Sequence, residues 1–147
     1  MRFVLDNSVT MRWLFGDGSA ADLSYAEHVL AVLEGEGNAA MVPGIWALEV
    51  GNVIVRAEAR ALVSEARSAE FLGTLQEMAV EVDGHSARHA LANTLQLARR
   101  FELPSYDAAY LDLALRQGLA IATPGADLRR AAAQAGVALA CIAVPCI

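Results

Sequence analysis

Three carboxylates in this chain have the types and settings that do chemistry. Asp6 ends the stretch Arg2-Phe3-Val4-Leu5-Asp6-Asn7-Ser8-Val9, in which three apolar residues run into an acid and a hydroxyl follows two positions on. It is either a turn residue or an acid aimed at a ligand. Glu49 has Ile45, Trp46, Asn52 and Val53 as its helical neighbours, none of them basic. A lone carboxylate on so apolar a segment faces desolvation unless something pairs with it or it lies on a solvated edge. Asp107 sits among Leu103, Pro104, Tyr110 and Leu111, again without a basic neighbour. Its alternative reading is a first-turn acid favoured by the helix dipole.

Two other acids carry structural explanations. Asp112 precedes Arg116 by one helical turn, the favourable order for an ion pair, and reads as structural. Asp127 has Arg130 three residues on, but it follows a strand end and stays eligible for a site.

Asp6, Glu49 and Asp107 come from three distant segments. Like charges do not converge without a cation. Hard oxygen donors with open positions suit Mg²⁺ or Mn²⁺, which bind through a few carboxylates, water and substrate phosphate. The matching reaction is phosphodiester hydrolysis, with a metal-activated water attacking in line.

Other chemistries lack their signatures. His85 and His89 stand one turn apart, but Ser86 follows His85, so the HExxH zinc pattern is absent and both read as helix-surface residues. His28 is isolated, and neither GxGxxG nor GxSxG occurs. Ser8 either bonds the acidic site or caps a helix, and Ser105 reads as a cap. Cys141 and Cys146 have no nearby His and read as ordinary apolar-segment and tail residues.

The elements that must position these acids alternate. Strands are predicted at Arg2–Asp6, Ala39–Val42, Val80–Val82 and Leu119–Thr123, with a last one at Val137–Ile142. Helices are predicted at Ser8–Leu14, Asp22–Glu34, Gly44–Arg60, Ser64–Met78, Ser86–Arg100, Ser105–Gln117 and Ala126–Ala135. Alternation of this kind implies a mainly parallel sheet covered by helices, an α/β domain. Ligands then gather beyond the carboxyl ends of strands. Asp6 lies at one such end, and Thr123 to Asp127 follow another.

With 147 residues the chain reads as one domain, residues 1–147, and its 56% apolar content excludes disorder. No apolar run is long enough to span a bilayer, and Asp6 and Arg12 spoil a signal peptide, so a cytoplasmic protein is expected. The net charge of −6 argues against nucleic-acid binding through a broad basic surface, yet leaves room for a nuclease that reaches phosphate through metal. All 11 basic residues are arginine. The absence of lysine removes P-loop, Schiff-base and phospho-aspartate chemistry, while arginine suits bidentate phosphate contacts. Arg12, Arg129 and Arg130, near helix starts, could approach substrate phosphates, though surface solvation explains each as well.

The successive motifs FVLDNSV, WALEVGNV, SYDAAYLDLA and IATPGADLRRAA resemble those of PIN-domain ribonucleases in the short form of VapC toxins. The resemblance covers nearly the whole chain, in order and spacing. It implies a three-layer α/β/α sandwich around a mainly parallel sheet. It carries catalytic and metal-ligand roles onto Asp6, Glu49 and Asp107, and Asp127 stands beside them as a candidate that could help hold metal through water. It also implies a Mg²⁺- or Mn²⁺-dependent endoribonuclease acting on structured RNA such as tRNA or rRNA, a homodimer, and a small VapB-type antitoxin.

One position departs from the pattern. The family's aspartate second after the threonine is here Gly125, and the next acid, Asp127, lies two residues later. That offset turns a helical side chain by about 200°. A second reading follows: a PIN fold that binds RNA or a partner with weak or lost nuclease activity. A phosphotransfer or receiver domain built on Asp6 is disfavoured by the missing lysine and by a single aspartate in the Asp6-Asn7-Ser8 triplet.

Overall fold

The computed structural model describes residues 1–142. Cys146 lies outside them, and Cys141 is free and buried. Strand β1 (Arg2–Leu5) leads to helices α1 (Asn7–Phe15) and α2 (Ala20–Glu34), then to β2 (Ala39–Val42). Helices α3 (Ile45–Ala59) and α4 (Glu65–Gln76) precede β3 (Val80–Val82). Then come α5 (Ser86–His89), α6 (Asn93–Phe101), α7 (Ser105–Gln117), β4 (Ala120–Ala122) and α8 (Ala126–Gln134).

The sheet is four-stranded and parallel, in the order β3-β2-β1-β4. Phe3, Val4 and Leu5 of β1 are fully buried. Each contributes about 1.5–3 kcal/mol of apolar burial, which is why this run forms a central strand with no polar face. Right-handed crossovers put the helices of β1→β2→β3 on one face of the sheet and those of β3→β4 on the other. The packing agrees: α1 rests on α2 and α3, while α7 rests on β1, β4, α6 and α8. The chain therefore leaves β1 and returns to β4 on opposite sides. That makes the carboxyl ends of β1 and β4 the switch point where α/β sheets hold ligands. No helix among the described residues is long and apolar enough to cross a membrane.

Local chemistry sets the boundaries. Ser19 and Ser64 cap α2 and α4, accepting from the Asp22 and Arg67 amides. Gly118 ends α7 in the left-handed conformation, at φ 64°.

Two expectations change. The predicted helix Ser86–Arg100 is two helices, broken at residues 90–92 so that Thr94 and Phe101 turn into the core. No glycine or proline marks that break. The predicted strand Val137–Ile142 shrinks to one parallel bridge, Ile121 with Leu139.

Candidate active site

Asp6 is fixed by the sheet. Its amide donates to the Ala122 carbonyl at 3.0 Å, which extends the β1–β4 ladder one residue past the strand and sets Asp6 beside Thr123. Asp6 occupies the cap position of α1, yet its carboxylate makes no cap bond to that helix. Instead Oδ2 accepts the hydroxyls of Thr123, at 2.8 Å, and of Ser8. The residue is only 8% exposed. Burial pushes its carboxyl above the ordinary value, against the pull of the Ser8 and Thr123 hydroxyls.

Glu49 projects from α3 and Asp107 from the first turn of α7. Tyr110, one turn on from Asp107 and fully buried, donates its hydroxyl to Glu49 Oε1 at 2.7 Å. Burial pushes Glu49 up to about 7, and the charges of Asp6 and Asp107 push the same way against the Tyr110 hydrogen bond. Asp107 is pushed up to about 6, by burial first and then by Asp6 and Asp127. Asp6, Glu49 and Asp107 line one cavity of ≈ 320 Å³ at the switch point, which brings the Asp6 charge to bear on both of the others. Among the described residues no arginine or histidine forms an ion pair with Asp6, Glu49 or Asp107.

The remaining candidates divide. Asp127 borders the same cavity, but its carboxylate pairs with Arg130 at 2.9 Å and its side chain is 73% exposed. Gly125 is the N-cap of α8, with φ −67° and ψ 124°, values open to any residue. Its amide donates to Thr123 Oγ1 at 3.0 Å. Asp112 pairs with Arg116 at 2.8 Å as the spacing implied, and the same arginine binds Asp83 at 2.8 Å. Arg12 pairs with Asp17. Arg129 donates to the Thr123 carbonyl at 2.6 Å and covers the Tyr25 ring. His85 is exposed on the corner before α5 and His89 lies at that helix's end. Ser105 is the first residue of α7 and makes no cap bond, because Pro104 takes the cap position.

Two buried residues that hold the cavity's acids escaped the sequence reading. Thr123 bonds Asp6 across 117 positions of sequence. A threonine directly after a short apolar strand was its only trace. Tyr110 passed for core because it is core, apart from its hydroxyl.

The donor set suits a hard divalent cation. Asp6, Glu49 and Asp107 supply oxygen donors from three elements, and none is neutralised by a basic side chain. As they stand, Glu49 leans to Tyr110 and Asp127 to Arg130. Among the described residues, no three His, Cys, Asp or Glu side chains draw together into a metal cluster. The carboxylates share a cavity without touching a common point.

No curated protein matches the chain in sequence. In fold it is similar to a chain of the crystal structure of VapBC2 from Rickettsia felis bound to a DNA fragment from their promoter. The TM-score is 0.63 over 95% of this chain and 97% of that one, at 11% identity, so the likeness speaks for the fold. The profile of the PIN domain matches residues 3–134. It takes in every acid of the cavity, and the chain belongs to the PIN domain family.

Proposed function

We propose that this protein is a divalent-metal-dependent endoribonuclease, the toxin of a VapBC-type toxin–antitoxin pair. PIN domains are generally nucleases, which supports the reaction class. The observation that carries the reading is the group of three acids, from the end of β1, α3 and α7, that face one cavity without an ion pair, with the Asp6 charge raising the proton affinity of both Glu49 and Asp107.

In this reading Asp6 and Asp107 hold Mg²⁺ or Mn²⁺, and Glu49 completes or orients the coordination. Asp127 helps through water. A bound cation there would supply a hydroxide nucleophile and steady charge on the phosphoryl oxygens. The chain's own part is to fix donors. Thr123 and Ser8 hold one oxygen of Asp6, and Tyr110 holds one oxygen of Glu49. The substrate is structured RNA of the tRNA or rRNA class, cut in the cytoplasm by a homodimer.

The partner is a small VapB-type antitoxin, as the likeness to a VapBC complex suggests. It places an arginine or a bulky side chain in the acidic cavity, where a cation substitutes electrostatically for metal. Native co-purification of a small partner supports this, and its absence counts against it.

The test is RNA cleavage with Mg²⁺ by the protein and by Asp107→Asn. Cleavage lost in the variant is expected. Equal cleavage by both overturns the assignment. A second reading, binding of RNA or a partner with weak cleavage, is favoured by Gly125 at the cavity wall, where an acid would otherwise stand.

A further inference from the structure

Glu49 and Asp107 stand on helices that approach from opposite faces of the sheet. Helix α3 rests on α1, while α7 rests on α6 and α8. Between them runs an open, largely apolar groove of ≈ 420 Å³, with Gly44 and Leu48 on one wall and Ser105 and Ala109 on the other. Along this stretch the groove keeps the two helices from packing on each other.

Two polar connections span the gap. One is Tyr110 to Glu49. The other begins at Arg116 of α7, whose Nε binds Asp112 of its own helix and whose Nη2 binds Asp83 Oδ2 at 2.8 Å. The Ser86 hydroxyl donates to that same oxygen of Asp83 at 2.8 Å, and its Oγ accepts the Gly44 amide at 3.2 Å. Gly44 is the N-cap of α3 and has no side chain with which to cap it. Helix starts leave such amides without intrahelical partners. Here the partner comes from a different segment, through a carboxylate whose side chain is 2% exposed.

We propose that Ser86, held by Asp83 and Arg116, is a positioning residue that ties the start of α3 to α7 and so sets where Glu49 stands opposite Asp107. This rests on the reading of those acids as a metal site. Glu49 lies five residues beyond Gly44, about 7.5 Å along the helix. A pivot at Gly44 therefore displaces its carboxylate, while the core under α3 stays packed.

Removing the Ser86 hydroxyl leaves the Asp83–Arg116 pair intact, so the fold survives. Asp112→Asn is the matched control. It breaks an ion pair to the same arginine but leaves the path to Gly44. The readouts are binding of Mn²⁺ alone, by electron paramagnetic resonance, and amide hydrogen exchange at residues 44–49. Ser86→Ala is expected to weaken Mn²⁺ binding about tenfold and to speed that exchange. Ser86→Thr restores both. Asp112→Asn lowers the melting temperature and leaves Mn²⁺ affinity unchanged. Unchanged affinity in Ser86→Ala, or an equal loss in Asp112→Asn, overturns the inference alone. Failure of the unaltered chain to bind Mn²⁺ overturns the metal-site reading and this inference with it.

Discussion

Thr123 Oγ1 sits between Asp6 Oδ2, to which it donates at 2.8 Å, and the Gly125 amide, from which it accepts at 3.0 Å. The threonine is fully buried. Its hydroxyl orients the deepest acid of the cavity and links it to the start of α8. Thr123→Val keeps the shape and removes the bond. Loss of such an orienting partner lowers metal affinity or activity about 10–100-fold. Mg²⁺ titration of cleavage measures it, and unaltered Mg²⁺ dependence would remove Thr123 from the site.

Gly125 is not there for its backbone. Its φ of −67° suits any residue, and a Cβ would meet Thr123 Oγ1 at 3.4 Å, ordinary contact. Gly125→Asp should fold normally, since aspartate is a favoured N-cap. An added carboxylate is expected to tighten divalent binding and raise cleavage on the order of tenfold. Cleavage rates at limiting Mg²⁺ check this. No gain would mean that the site works without a fourth acid at this position.

The cavity acids make stability depend on pH. Glu49 is raised to about 7 and Asp107 to about 6, and Asp6 is raised as well. An unfolded chain releases these protons near roughly pH 4, so between there and pH 7 the folded protein binds more protons. Stability therefore falls as pH rises through that window. Asp83 works the other way. Burial tends to raise it, but Arg116 and Ser86 hold it below its ordinary value. Its stabilisation is complete above roughly pH 4 and is lost on further acidification. In chelator, the melting temperature is expected to drop from pH 5 to pH 8. With saturating Mg²⁺, binding to the folded form offsets that drop. Differential scanning fluorimetry at both conditions decides it. A flat or rising profile in chelator would contradict the raised proton affinity that burial gives these acids.

Arg116 serves two carboxylates that are almost wholly enclosed, with side chains 2% and 4% exposed. Arg116→Leu leaves both without a basic partner, with only the Ser86 hydroxyl still on Asp83, and should cost about 3–5 kcal/mol. Arg116→Lys recovers part of this, because the ammonium cannot serve two acids with one planar fork. Urea unfolding measures both variants. A loss below 1 kcal/mol in Arg116→Leu would show that water reaches these acids.

Much of this was legible in the residues. Apolar runs punctuated by Gly35, Pro43 and Gly118 announced the alternation of strand and helix. Acids without basic neighbours pointed to Asp6, Glu49 and Asp107, which do line one cavity. Ion-pair spacing settled Asp112 with Arg116 and assigned Arg130 to Asp127. What stayed hidden depends on contacts between distant segments. Asp83 gave no local signal, because its arginine lies 33 positions away. Thr123 and Tyr110 each act through one hydroxyl whose partner the local pattern cannot reveal. The break between α5 and α6 is set by what the core accepts and not by a local breaker.

The sheet order also governs when the cavity can exist. Strand β1 lies between β2 and β4, and its acid is held by a residue from the far side of the chain. During synthesis Asp6 leaves the ribosome long before Thr123, and contacts so remote in sequence close late. A nascent chain thus carries scattered acids without the hydroxyl that orders the first of them. The ordered site is complete only when β4 docks, so the last strand to be made is the one that finishes it.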